Sequence, residues 1–419
     1  MKKMLILFTI ICLTGPFFLF AGGGGQQSGA ANKEVNFWYL WGGEEGAYIE
    51  QIIAAYNKSQ DKYHAVGLSV PDQAKVITAI SGGTGPDTTD DFNTSAPLYA
   101  AEQIAEPLDA FIAKDNLDIS KFNKSAYELV KYNGKVYMLP LSINVSVLYY
   151  NKDILAKAGI TAPPKTLEEL QKMERDLTIV QNGEITQLGG NFIGGDYVWA
   201  YTYANGTNFG TVGNLTPNNA GFRKVLDYIA SMVSAFGSNA FNNFITSGEA
   251  NIYSPQDPFL AGKQAFRSDG AWLFNMAKDA GVNFDIMPIP ASSSVGGSVS
   301  TLMGLSTMYV PTTAKNKDGG WDFTKYITYG EGAKMFITLK GDVPALTALT
   351  TDRDVVNIAP HFRTYLDIVS GNSMIGLPLY TGSQEYTKAI SDAAEAVRLG
   401  TPIDRAIADM EATVARIGR

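Results

Sequence analysis

Carboxylates, amides and aromatic rings, not histidines or thiols, are the residues of this chain whose spacing could do chemistry. Glu44 and Glu45 stand in the turn WGGEEG, and Asp87, Asp90 and Asp91 crowd into GPDTTDDF. Two carboxyl groups held roughly 5 to 9.5 Å apart are the equipment of a glycoside hydrolase. Glu44, Glu45 and Asp91 make such a pair conceivable. The aspartates do not follow the D-x-D-x-D-G spacing of a calcium loop, so Asp87 reads as a turn residue after Pro86, and no metal is expected. The chain has 2 His, His64 and His361, and 1 Cys, Cys12 inside an N-terminal apolar run. A His-rich metal site and a Cys–His nucleophile pair in a mature chain are thereby excluded, and no cofactor is expected.

A second polar group lies in GKVYMLPLSINVSVLYYNKDIL, residues 134 to 155. Successive strand side chains alternate between faces, so Ser142, Asn144 and Ser146 share one face and Val145 and Val147 the other. Such a face is either a solvated sheet surface or the wall of a site. The aromatic candidates are Trp199 and Tyr203 in GGDYVWAYTYANGTNFG, a segment of weak periodicity, and Trp272 in SDGAWLFN. Core packing is their standing alternative, because Trp is highly buried on average. Trp38 and Trp321 read as core.

The elements that must position these groups alternate. VNFWYLW, residues 35 to 41, predicts a strand, and Tyr48, Ile49, Ile52, Ile53 and Tyr56 follow at helical spacing. Residues 64 to 70 predict a second strand, 73 to 81 a helix, and the Gly/Pro-rich turn after them a third strand. Thr166 and Glu169 predict a capping box opening a helix to Asp176. Residues 221 to 236 and 393 to 414 each predict an amphipathic helix, and NFDIMPIPASSSVGGSVS an apolar strand ending in a Ser/Gly loop. Alternating strands and helices imply an α/β sheet, whose ligands collect beside the carboxyl ends of strands. Trp41 to Glu45 and Asp90 to Asn93 fall at two such ends.

The chain has 419 residues, 45% of them hydrophobic, enough for two packed domains. Its formal net charge of -8, with 33 Lys and Arg that are scattered along the sequence, argues against a nucleic-acid partner. Two lysines, an apolar run from Met4 to Phe20 and the small residues Ala21-Gly22-Gly23 have the plan of a secretory signal peptide over residues 1–23, and residues 24–33 read as a flexible tether. The run is interrupted by Gly15-Pro16, which disfavours a membrane anchor.

Several of these segments taken together, VNFWYLWGGEEG, GPDTTDDF with AAEQIAEPLDAF, YTYANGTNFG, AFRSDGAWLFN, FDIMPIP, GDVPAL and above all NGKVYMLPLSINVSVLYYNKDILAKAGITAPPKTLEEL, carry a family resemblance. The chain resembles the extracellular solute-binding proteins of bacterial ABC importers, family 1, the class that includes maltose-binding protein. That resemblance implies an α/β, two-lobed periplasmic-binding-protein fold of class II type, its lobes joined by a multi-segment hinge around a central ligand cleft. The expected lobes are 34–142 with about 303–350, and 143–302 with about 351–419. The segment near Ser142 and Asn144 would be one crossing between them.

The resemblance further implies a receptor, not an enzyme, that captures a sugar or oligosaccharide and delivers it to membrane permease subunits, working as an exported monomer. Ligand-binding positions implied by it, together with the chemistry of rings and hydrogen-bonding groups, are Trp41, Glu44, Glu45, Asp91, Asn93, Asn144, Trp199, Tyr203, Asp269, Trp272, Met303 and Gly304. Glu44 and Glu45 read equally as favourable charges at a helix N-terminus. Gln384 or Glu385 would approach the cleft. The clustered Arg that an anionic solute would favour is missing from these positions, which suit neutral polyols or sugars, with cationic polyamines as the alternative. Many relatives carry a lipid-anchoring cysteine after the apolar run; this chain has Phe20-Ala21-Gly22-Gly23 there, so lipid anchoring is not expected.

Overall fold

The computed structural model describes residues 33–194, 196–359, 362–370 and 374–417; the side chains of Glu44, Leu302 and Met303 lie outside it as well. The expected signal peptide, and the expected tether up to residue 32, fall outside the described residues.

The chain opens as β1 (Lys33–Tyr39), whose inward residues Val35, Phe37 and Tyr39 are buried while Lys33, Glu34 and Asn36 are exposed. Helix α1 (Gly43–Ser59) lays Ile49, Ile52, Ile53 and Tyr56 onto that face. The parallel strand β2 (Tyr63–Ser69) pairs Phe37 with Gly67. A Cβ at Gly67 would stand 2.6 Å from the Ile53 side chain, so glycine is what lets helix and sheet close together. Helix α2 (Gln73–Ser81) follows, capped by the Asp72 carboxylate, and β3 (Thr88–Phe92) returns parallel to β1.

Strands β4 (Leu139–Val145) and β5 (Val147–Asn151) are consecutive but belong to different sheets. β5 is the centre of a three-stranded antiparallel sheet between β6 (Phe266–Asp269) and β7 (Phe284–Met287). β4 joins the main sheet, where β8 (Ser298–Tyr309) runs antiparallel to both β4 and β3, and β9 (Val343–Pro344) closes the far edge. The main order is β9-β4-β8-β3-β1-β2, and the short strand β10 (Met374–Ile375) pairs with the start of β8. Chain thus passes from one sheet to the other at Ser146.

The helices beyond α2 that bear on the site are α3 (Leu167–Asp176), α4 (Tyr197–Ala204), α5 (Ala220–Phe236), α6 (Trp272–Asp279), α7 (Lys317–Tyr329), α8 (Glu331–Lys340), α9 (Ser383–Arg398) and α10 (Ile403–Ile417). Two buried apolar clusters result. One packs the main sheet against α1 and α7, with Phe323 4.9 Å from Phe37 and 5.0 Å from Tyr56, ring centre to ring centre. The other gathers α3, α4, α5 and α9 around Tyr201, Phe222 and Ile390. Val147 and Tyr149 face the first cluster and Leu148 the second, as alternation along β5 requires.

Three local expectations are corrected. The single helix over 393 to 414 is two helices, because Gly400 takes a left-handed φ of 102° and Pro402 cannot continue the hydrogen-bond ladder. The aromatic segment of weak periodicity is the helix α4; it is buried nearly all round, so no polar stripe marks its period. At α3, Thr166 caps as expected, but the Glu169 carboxylate accepts from the Lys165 N–H at 2.7 Å, one residue short of the capping-box partner.

Candidate functional site

A cavity of about 170 Å³ opens between the carboxyl end of β3, the middle of β8 and the first turns of α4. Asn93 and Thr94 come from the turn after β3, Thr301 and Gly304 from β8, and Asp196, Trp199 and Tyr203 from α4 and the residue before it. Gly304 has a φ of 149°, and a Cβ there would stand 3.0 Å from Asn93 Oδ1. Glycine therefore allows the Asn93 amide oxygen to accept the Leu305 N–H at 2.7 Å. Asn144 lies opposite Gly304 in register, and its Nδ2 donates to Ser306 Oγ at 3.4 Å.

The chemistry of the cavity is concentrated at its α4 side. Asp196 is 3% exposed, and neither of its carboxyl oxygens has a hydrogen-bond partner among the described residues. The hydroxyls of Tyr203, Thr301 and Ser146 are buried without partners too. Buried polar groups are ordinarily satisfied, so such a gathering at and beside one cavity needs a reason. Burial pushes the Asp196 carboxyl up to about 7; the nearby Ser146 hydroxyl, although not in hydrogen-bonding geometry, opposes that shift and the charge of Asp269 adds to it. The half-buried Trp199 presents a ring held edge-on by Phe209, centres 5.4 Å apart and planes at 77°. An acid, hydroxyls and an aromatic face converging on a concave space can take a polyhydroxylated molecule with apolar C–H faces.

Of the residues expected from the sequence, Asn93, Trp199, Tyr203 and Gly304 are brought together at this cavity. Six others are not among its lining residues; Asn144, buried and turned to Ser306, is one of them. Trp41 packs on Phe336 at 5.2 Å, with Lys340 Nζ 5.7 Å from its ring centre, and Glu45 pairs with that Lys340 at 3.0 Å. Asp91 is 2% exposed and accepts from the Phe92 N–H. Asp269 is held by Arg267 at 2.9 Å, within a buried triad completed by Asp257. Trp272 donates its indole N–H to Tyr253 Oη at 3.0 Å, and that hydroxyl donates to Asp269 at 3.1 Å. The side chains of Glu44 and Met303 lie outside the described residues. Gln384 donates to Ser95 Oγ at 3.3 Å.

The polar face of β4 is not a solvated surface: every residue of that strand is buried, and Ser142 donates to Asp342 at 3.0 Å. Asp87 is structural as expected, accepting from the Asn36 and Asn316 N–H groups at 2.9 and 2.7 Å. Sequence reasoning missed Asp196, Thr94 and Thr301. Only Asp196 carried a signal, an acid between two glycines and an aromatic run. A second buried acid, Glu174, accepts from Tyr201, Tyr228 and the Asn191 N–H, so it serves packing and not the cavity. Among the described residues no cluster of His, Cys, Asp and Glu could hold a metal ion, and no helix is long and apolar enough to cross a membrane.

Comparison with known proteins bears on this geometry. A family model described as bacterial extracellular solute-binding protein matches residues 51–364. The chain is 25% identical to a maltotriose-binding protein of Pyrococcus abyssi over 79% of its own length and 71% of the relative's. It is 27% identical to a maltooligosaccharide ABC transporter solute-binding lipoprotein of Streptococcus pneumoniae, covering 72% of this chain and 70% of that one. Among solved structures, CpMnBP1 with mannotriose bound superposes with a TM-score of 0.81 at 27% identity, over 91% of this chain and all of the other. The two-lobed α/β architecture expected from the sequence is that of this neighbour. With the family model spanning most of its length, the chain belongs to the bacterial extracellular solute-binding proteins.

Proposed function

We propose that the protein is the solute receptor of an ABC importer, working outside the cytoplasm, and that it captures a sugar or oligosaccharide in the cavity beside α4 for delivery to permease subunits. The observation that carries this reading is the convergence of the unpartnered Asp196 carboxyl and the Tyr203 and Thr301 hydroxyls beside the Trp199 ring. Sugar hydroxyls would satisfy those groups while a C–H face stacks on the indole. The relatives named above bind maltotriose, maltooligosaccharides or mannotriose, which supports the class and leaves the individual sugar open.

The lobes in this reading are 34–142 with 303–350, and 143–302 with 351–419, and the passage of chain between sheets at Ser146 supports that division. A solute in contact with both would hold them closed, since a ligand shifts a conformational equilibrium only by its differential affinity for the two states. Trp41, Glu45 and Trp272 would then be approached by the far ends of a longer solute. Hydrolysis is disfavoured because Asp196 is the one carboxylate among the cavity's described lining residues, and a glycosidase needs two.

Calorimetric titration against linear gluco-, manno- and galacto-oligosaccharides tests the proposal. Micromolar or tighter binding of at least one, recovered chemically unchanged, is expected; no binding by any of them refutes the carbohydrate assignment.

A further inference from the structure

We infer that Asp196 sets the charge class of the solute, so that the cavity takes neutral sugars and rejects their uronic acids. The inference rests on the carbohydrate reading above and extends it to a property that no comparison supplies. Asp196 is 3% exposed, lines the cavity, and leaves both carboxyl oxygens without a partner among the described residues. Neutral hydroxyls can donate to both oxygens at once. A solute carboxylate in the same place brings only acceptors and a like charge.

The surroundings do not supply a cation to relieve that conflict. None of the described residues lining the cavity is Lys, Arg or His. The neighbouring groups that bear on Asp196 electrostatically are Ser146 between β4 and β5, Asp269 on β6 and Tyr203 on α4. The nearby Arg267, whose Nη2 lies 3.6 Å from where a Gly194 Cβ would stand, is already shared between Asp257 at 3.2 Å and Asp269 at 2.9 Å. One guanidinium between two carboxylates leaves the group with excess negative charge. An acidic sugar would therefore be buried against Asp196, with the charge of Asp269 added to it, at a site where desolvation strengthens repulsion.

The test compares maltotriose and mannotriose with the same trisaccharides oxidised at C6 to uronates, by calorimetry at pH 8 and physiological ionic strength. For the wild type the neutral form is expected to bind at least about 100-fold more tightly than its uronate, since like charges juxtaposed in a buried interface cost several kcal/mol. Asp196→Asn keeps the shape and removes the charge, and is expected to bring that ratio below about tenfold. Thermal melting of the variant confirms that it is folded, and Asp269→Asn provides a second charge variant outside the lining, expected to narrow the ratio less. Uronates binding within about threefold of the neutral sugars, or a ratio unchanged in Asp196→Asn, overturns the inference while leaving the carbohydrate reading standing. Silence from every neutral probe overturns both.

Discussion

Asn93 and Gly304 meet in the lining of the cavity: Asn93 Oδ1 accepts the Leu305 N–H at 2.7 Å, and would lie 3.0 Å from any Cβ placed on Gly304. The contact ties the turn after β3 to β8 at the cavity lining. Gly304→Ala brings a side chain into a backbone region reserved for glycine, at a cost of about 1–3 kcal/mol. Urea denaturation should show that loss, and titration a drop in affinity of at least tenfold. Unchanged affinity would remove the Asn93 turn from the site.

Trp199 and Trp272 should behave differently. Trp199 lines the cavity, whereas Trp272 turns its indole N–H to Tyr253. Trp199→Ala is expected to cost about 2 kcal/mol of affinity or more, as buried aromatic anchors do. Trp272→Ala should lose affinity mainly for longer oligosaccharides. Equal losses for a disaccharide in both variants would contradict the placement.

The buried acids give the protein a pH signature. Burial raises both Asp196 and Glu174 to about 7; Tyr201, Tyr228 and the Asn191 amide oppose the shift at Glu174. Unfolded, the two groups titrate near 3.9 and 4.3. Between those values and pH 7 the folded protein holds more protons, so stability falls as pH rises through this window, by up to a few kcal/mol for each group. Denaturation midpoints from pH 4.5 to 8 should decline, and Asp196→Asn should flatten the decline. Sugar hydroxyls favour the charged carboxylate, so affinity should climb over the same range with release of a proton, absent in the variant.

Glu174 is a packing group with a measurable role. It holds two tyrosine hydroxyls and a backbone N–H in the interior. Glu174→Ala strands all three and is expected to cost about 3 kcal/mol or more, seen in urea midpoints. Sugar affinity of the folded fraction should stay within about threefold.

Lys340 is 8% exposed and bridges Glu45 at 3.0 Å and Asp342 at 3.3 Å, the latter 2% exposed. Burial draws its ammonium down, but the two carboxylates more than offset this and leave it raised. Lys340→Met abandons a buried aspartate, at about 3–5 kcal/mol. Glu45→Gln leaves the Lys340–Asp342 pair intact, and partial exposure of Glu45 should hold its cost below about 1 kcal/mol.

The sequence by itself determined the elements and the architecture. Alternating Val35, Phe37 and Tyr39 specify a half-buried strand, and the isoleucines of α1 its covering helix, because those patterns are local and periodic. Residues 139 to 151 read as a strand and announced the family. Tertiary structure decided the rest. Asp91 and Asp269 look as available in sequence as Asp196, yet one accepts from the Phe92 N–H away from the cavity and one is claimed by Arg267; of the three, Asp196 alone lines the cavity, with both carboxyl oxygens free of partners among the described residues. Which acid faces the cavity depends on residues as distant in sequence as Asn93 and Thr301, and no spacing rule reports on the proximity of residues so far apart.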